Sequence, residues 1–240
     1  MKNFDLKVLT KAMKEFCLEK RVFANESQFQ FELGQKLRDA GYEVLFEVLS
    51  IDRSNTEKHK KVYTDIVVSL GEERYVAIEL KYKMVGRPGS KPKGYDPDNN
   101  MFVYTDAKGV TQYVSPQGAI DEGSHSFLCD VERLERLKNR EITFNFSDKK
   151  EIVQAYAIII ANARESSKDA YWEDHGECIW GKFSLNTDRI IENTKLETEP
   201  KYKDRYKTIS ISGKYICDWE DYYKSDKTDY PMKYMIFEIN

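Results

Sequence analysis

The chain predicts a mixed α/β fold. Three observations carry that reading: a capped amphipathic helix, two apolar strands joined by a short polar turn, and one near-continuous apolar run. Hydrophobic residues make up 40% of the 240 and charged residues 33%, enough for a core beneath a charged surface.

The opening "MKNFDLKVLTKAMKEF" places Leu6, Leu9, Met13 and Phe16 on one side of a helix. Lys and Glu interrupt its apolar positions, so it has no secretory core segment. "NESQFQFELGQKLRDAGYEV" predicts a second helix. Asn25 caps it, Glu26 sits in the first turn where the dipole favours an anion, and Gly41 ends it. Phe29, Leu33 and Leu37 recur every four residues as its buried stripe. "YEVLFEVLS" follows as a strand, with Val44, Phe46 and Val48 expected on one face and Leu45 and Glu47 on the other. A polar loop leads to the hairpin "TDIVVSLGEERYVAIELKYK", Thr64 to Lys83.

From Lys83 to Gly123 the pattern dissolves into Gly, Pro, Asp and Asn, which predicts a long functional loop or lid over residues 83–123. "SHSFLCDVERLERLKNR" predicts a helix with Phe127, Val131, Leu134 and Leu137 inward, and "EIVQAYAIIIAN" a strand covered on both faces. Residues 1–163 thus run helix, strand, strand, strand, helix, strand behind an N-terminal helix. Residues 164–240 predict a β-rich extension packed on that core, through "ECIWGKFSLN", "YKTISISGKYI" and "MKYMIFEIN".

Charge within the hairpin is the chemical signal. Alternation puts Ala77, Glu79 and Lys81 on one face of the second strand and Val76, Ile78 and Leu80 on the other. A short turn brings Asp65 close to Glu79, and two carboxylates on one face repel unless a cation lies between them. Such oxygens, with the Leu80 backbone carbonyl and water, suit Mg²⁺, and Lys81 can orient a water or stabilise charge on a phosphate. An exposed sheet face with cross-strand Glu–Lys pairing is the competing reading. Acid-x-Lys alone is uninformative, since Asp5/Lys7, Asp106/Lys108, Asp148/Lys150 and Glu199/Lys201 repeat it in polar or amphipathic surroundings.

Asp65, thirteen intervening residues, then Glu79-Leu80-Lys81 resembles the PD-(D/E)xK signature of the restriction-endonuclease-like nuclease superfamily. The element order of residues 20–163 resembles that superfamily's α-β-β-β-α-β core, a mixed central sheet flanked by helices. Thr64 stands where the motif has proline. The resemblance implies a Mg²⁺-dependent endonuclease, with Mn²⁺ able to substitute, that hydrolyses phosphodiesters, DNA before RNA. Asp65, Glu79 and the Leu80 carbonyl would hold the metal and Lys81 would be the catalytic lysine. Glu26 would add a helix acid to the metal, with Glu32, about 240° round the helix, as the other choice.

Lys83, Arg87, Lys91 and Lys93 lie in "KYKMVGRPGSKPKG" with no acid among them and are candidates for clamping a nucleic-acid backbone. Asp130, Arg133 and Glu135 fit a solvated helix face better than a reach back to the hairpin. Gln112 and Gln117 could line the lid, and the Tyr-rich end could stack on bases or serve as strand residues. "YWEDHGEC" reads as an acidic loop. No phosphate-binding Gly-rich motif and no Gly-x-Ser-x-Gly elbow occurs. Cys17, Cys129, Cys178 and Cys217 form no CxxC pair and read as reduced thiols of a cytoplasmic protein with no membrane span. The net charge of −3 leaves any phosphate affinity to local patches or metal. The competing function is a catalytically silent nucleic-acid- or protein-binding module of a defence or mobile-element complex. A homodimer or a larger complex is left open.

Overall fold

The computed structural model describes residues 3–52, 60–84, 93–116, 120–145, 151–163, 170–174, 181–198 and 206–240. Helix α1 spans Leu6–Glu19 and α2 spans Glu26–Asp39. Asp5 caps α1, and the Asn25 side chain accepts from the Gln28 N–H at 2.9 Å to cap α2. Gln28 returns the contact, its Oε1 accepting from the Ala24 N–H at 2.6 Å, so the entry to α2 is held from both sides. Phe29, Leu33 and Leu37 are fully buried, each worth about 1.5–3 kcal/mol. Gly41, at φ 82°, turns the chain out of the helix as expected.

Three strands follow: β1 (Glu43–Asp52), β2 (Lys60–Ser69) and β3 (Arg74–Met84). After them come β4 (Tyr95–Asp96), β5 (Met101–Thr105) and β6 (Thr111–Val114), then α3 (Ile120–Lys138), β7 (Ile142–Phe144) and β8 (Glu151–Asn162). The chain continues through a short 3-10 turn at Gly181–Phe183 into β9 (Ile190–Leu196), β10 (Ile209–Ile216), β11 (Glu220–Tyr223) and β12 (Met232–Glu238). Seven strands form one mixed sheet in the order β11-β12-β8-β3-β2-β1-β7. All its neighbours are antiparallel except β3 and β8. That parallel pair needs a crossover, and α3 lies within it.

Two apolar layers sandwich this sheet. One packs α1, α2, β5 and β6 against the even-numbered side of β3 (Val76, Ile78, Leu80, Tyr82, Met84). The other packs α3, β9 and β10 against Ala77 of β3 and Ala155, Ala157, Ile159 and Ala161 of β8. β8 is buried on both faces over residues 155–162, as its unbroken apolar run requires.

Four expectations change. Residues 95–114 of the expected loop form the antiparallel sheet β4-β5-β6, whose Phe102, Tyr104 and Val114 are buried in the first layer. Alternating "MFVYT" and "TQYV" bury one side each, so this segment is part of the core. α3 begins at Ile120, within what read as loop. In β1, Val44 and Phe46 pack in the first layer but Val48 joins the second, because Glu47 takes a left-handed φ of 50° and turns the strand over. Of the expected β-rich extension, β11 and β12 complete the main sheet, while β9 and β10 form a separate hairpin.

The tyrosines at 206, 215, 222, 223, 230 and 234 are buried, which fits strand packing and leaves their faces closed to bases. Among the described residues no helix is long and apolar enough to cross a membrane. Cys17, Cys129 and Cys217 are free thiols, and Cys178 lies outside the described residues.

Candidate active site

β2 and β3 pair only from Ser69↔Tyr75 to Ile66↔Ile78, and the next pair would be Asp65 with Glu79. There the strands part. The Asp65 carboxylate fills the opening: its Oδ2 accepts from the Leu80 N–H at 2.7 Å. On its other side β2 also loses a partner, since the β1 ladder passes from Phe46↔Ile66 to Val48↔Thr64 and skips Glu47 opposite Asp65. Gln30 of α2 takes up the slack, its Nε2 donating to the Asp65 carbonyl at 2.6 Å and to Glu47 Oε1 at 2.7 Å. Asp65 therefore stands in a local gap in the sheet, held by one side chain and one main-chain N–H. Such ladder breaks are typical beside functional sites.

Glu79 is 2% exposed and Lys81 follows it on the same face. α3 brings two residues down onto them. Arg133 clamps Glu79 with two donors, Nε to Oε1 at 3.1 Å and Nη2 to Oε2 at 2.6 Å. The same Nη2 lies 2.8 Å from Asp130 Oδ1, and Lys81 Nζ lies 2.9 Å from Asp130 Oδ2. Glu26, at the start of α2, reaches the same place. Its Oε2 accepts from the Tyr82 N–H at 3.0 Å, and its Oε1 is 3.6 Å from Lys81 Nζ. Glu32 points elsewhere, paired with Arg21.

Burial pushes the Asp65 carboxyl up to about 6, against the opposing pull of the Leu80 N–H and the Lys81 charge. Burial also drives the Glu79 carboxyl well above its usual range, with Arg133 opposing and Asp130 and Asp65 adding to the rise. For Lys81 burial favours the neutral form, but Asp130 and Glu26 outweigh it and hold the ammonium charged. Glu79 and Asp130 do the same for Arg133. Four carboxylates (Glu26, Asp65, Glu79, Asp130) thus meet two cations (Lys81, Arg133), a surplus of two negative charges.

The donors are hard oxygens of the kind Mg²⁺ accepts. Among the described residues no three carboxylate, His or Cys groups surround one point, and both oxygens of Glu79 are turned to Arg133. Leu80, whose carbonyl is the expected metal donor, meets Asp65 through its N–H.

The solvated-face reading of α3 is overturned for Asp130 and Glu135, both buried. A signal for Asp130 was present: it lies three residues after Phe127 and four before Leu134, on the apolar stripe itself. Glu135 turns instead to β10. Gln112 is no lid residue, since its Oε1 accepts from the Val22 N–H at 3.2 Å and braces the α1–α2 connection. Lys83 follows Lys81 on β3, while the Lys93 N–H donates to Asp229 Oδ2 at 3.0 Å, and neither lysine forms an ion pair among the described residues. Arg87, Lys91 and Gln117 lie outside the described residues, as do His175, Glu177 and Cys178 of the acidic loop. Of the repeated acid-x-Lys pairs, Asp5 is a helix cap and Asp106 a turn residue accepting from the Lys108 and Val110 N–H groups.

No family model, no curated protein and no solved structure matches this chain.

Proposed function

We propose that the chain is a Mg²⁺-dependent nuclease of the PD-(D/E)xK kind, built on a restriction-endonuclease-like core and cutting phosphodiesters in DNA. One observation carries the reading: at the parting of β2 and β3, Asp65, buried Glu79 and Lys81 join Glu26, Asp130 and Arg133 in a cluster of four carboxyl groups to two cations, a formal surplus of two negative charges. Buried like charges are costly without a counter-charge, and a divalent cation is the charge the group lacks. With β4–β6 and β7 as insertions, the order α2-β1-β2-β3-α3-β8 supports the same core.

In this reading Asp65 and Glu79 hold the metal, with Glu26 behind them. A bound Mg²⁺ or Mn²⁺ supplies Lewis-acid stabilisation of charge on a non-bridging phosphate oxygen. Lys81, kept charged by Asp130 and Glu26, orients the attacking water by donating to its oxygen. The P–O bond to the leaving alkoxide breaks as the water oxygen bonds phosphorus; the water gives up one proton to solvent and the alkoxide takes one from solvent, so the products are a phosphate monoester and an alcohol. Lys83 and Lys93 add phosphate affinity without sequence readout.

The silent binding module has one observation in its favour, the occupation of both Glu79 oxygens by Arg133. Cleavage of supercoiled plasmid, single-stranded DNA and RNA with Mg²⁺ or Mn²⁺ separates the two. Lys81→Ala and Asp65→Ala should each lower the rate at least about 100-fold, and EDTA should abolish it. A wild type inert on all three substrates with both metals would favour the silent module.

A further inference from the structure

Arg133 has no place in the acid–acid–lysine trio, yet it holds the most buried of those acids. Its two donors take both oxygens of Glu79, a bidentate grip that a lysine could not reproduce. Asp65 is held differently, by one main-chain N–H on one oxygen. Any cation arriving at this group therefore meets competition at Glu79 from a guanidinium.

That competitor has a second partner already in reach. Arg133 Nη2 is 2.6 Å from Glu79 Oε2 and 2.8 Å from Asp130 Oδ1, so one nitrogen is shared between two acids. Asp130 and Arg133 are one turn apart on α3, so a side-chain rotation can pass the guanidinium to Asp130 with no movement of the helix. A buried carboxylate left alone is expensive, so an acidic site needs a placeholder until its cation arrives.

We propose that Arg133 stands in for the metal at Glu79 and steps onto Asp130 when the metal binds. This rests on the metal-site reading above and assigns Arg133 as a positioning residue, with Asp130 as its landing point.

Calorimetric titration of Mn²⁺ into the whole chain tests this directly, using wild type, Arg133→Gln, Arg133→Lys, Asp130→Asn, Asp65→Ala and the Arg133→Gln/Asp130→Asn double variant. Circular dichroism confirms that each is folded. Removing the competitor should tighten Mn²⁺ binding about tenfold in Arg133→Gln. Arg133→Lys, which keeps the charge but not the fork, should fall between the two and serves if the glutamine variant does not fold. Asp130→Asn should weaken binding in the wild-type background and change it less than about twofold once Arg133 is gone. Equal weakening in both backgrounds would make Asp130 a direct ligand and overturn the step. Asp65-dependent binding indifferent to Arg133 would overturn the latch and leave the metal site standing. No binding by any variant would overturn both.

Discussion

Two glutamates lie under α3, each almost wholly buried: Glu79 from β3 and Glu135 from the helix itself. Glu135 accepts from four neutral donors, the Ser212 N–H at 2.9 Å, the Ser212 hydroxyl at 2.8 Å, the Gly213 N–H at 2.7 Å and the Tyr215 hydroxyl at 2.7 Å. Its charge is spread over groups that can do nothing else, and it fastens the β9–β10 hairpin to the helix. Glu79 is met by a single guanidinium that it shares with Asp130, with Asp65 close by, and its carboxyl is driven well up. One buried acid is fully solvated by neutral donors, while the other shares its one cationic partner with a second acid. The difference teaches that burial alone does not mark a chemical site, and it makes the partner, four neutral donors at Glu135 or one shared guanidinium at Glu79, the feature to test.

Substitutions along α3 and the hairpin can break or sharpen that contrast. Glu135→Ala leaves two N–H groups and two hydroxyls without their acceptor and should cost about 3–4 kcal/mol in urea unfolding, with Mn²⁺ affinity unchanged. An unaltered unfolding free energy would end the comparison. Arg133→Ala should cost less, about 2 kcal/mol, because Glu79 can take up a proton in place of the lost guanidinium. Thermal unfolding with and without Mn²⁺ should then show a larger metal-induced rise than in wild type. Glu79→Gln should be smaller still, within about 1 kcal/mol, since Arg133 keeps Asp130 as a partner; a loss as large as that of Glu135→Ala would show the site to be structural.

At Asp65 the expected effect has the opposite sign. Its folded carboxyl titrates near 6 against an ordinary 3.8, so between those values the folded chain keeps a proton that the unfolded chain has lost. The stability this supplies is complete below the lower value and gone once pH passes the upper one. Asp65→Asn should therefore be more stable than wild type at pH 7.5, by up to about 3 kcal/mol, and the advantage should vanish as the pH falls to 4. Melting curves across that range check it.

Much of this was legible in the residues. Asn25, the Phe29–Leu33–Leu37 stripe and Gly41 specify α2 locally, because cap, period and stop agree. Asp65, Glu79 and Lys81 stood out because charge inside apolar strands has few explanations. β4, β5 and β6 did not stand out, since they are two to five residues long and bounded by turns. Arg133 was opaque for another reason. Helix charges at a spacing of three look alike whether they face water or a charged sheet, and only the odd-numbered face of β3 tells them apart. The reversal at Glu47 has no local signature at all, because it depends on Gln30 reaching across from α2.

The position of β12 sets the timetable on which the chain can fold. It pairs with β8 along Met232↔Asn162 to Glu238↔Tyr156. Until residues 232–238 leave the ribosome, β8 presents an apolar strand with one side unpaired, the condition that invites association with other chains. The parting of β2 and β3, by contrast, is encoded early and can form first. The hairpin is therefore laid down near the start of synthesis and the sheet is completed only when the strand at residues 232–238 arrives, which predicts slow, late-closing folding governed by a long-range contact.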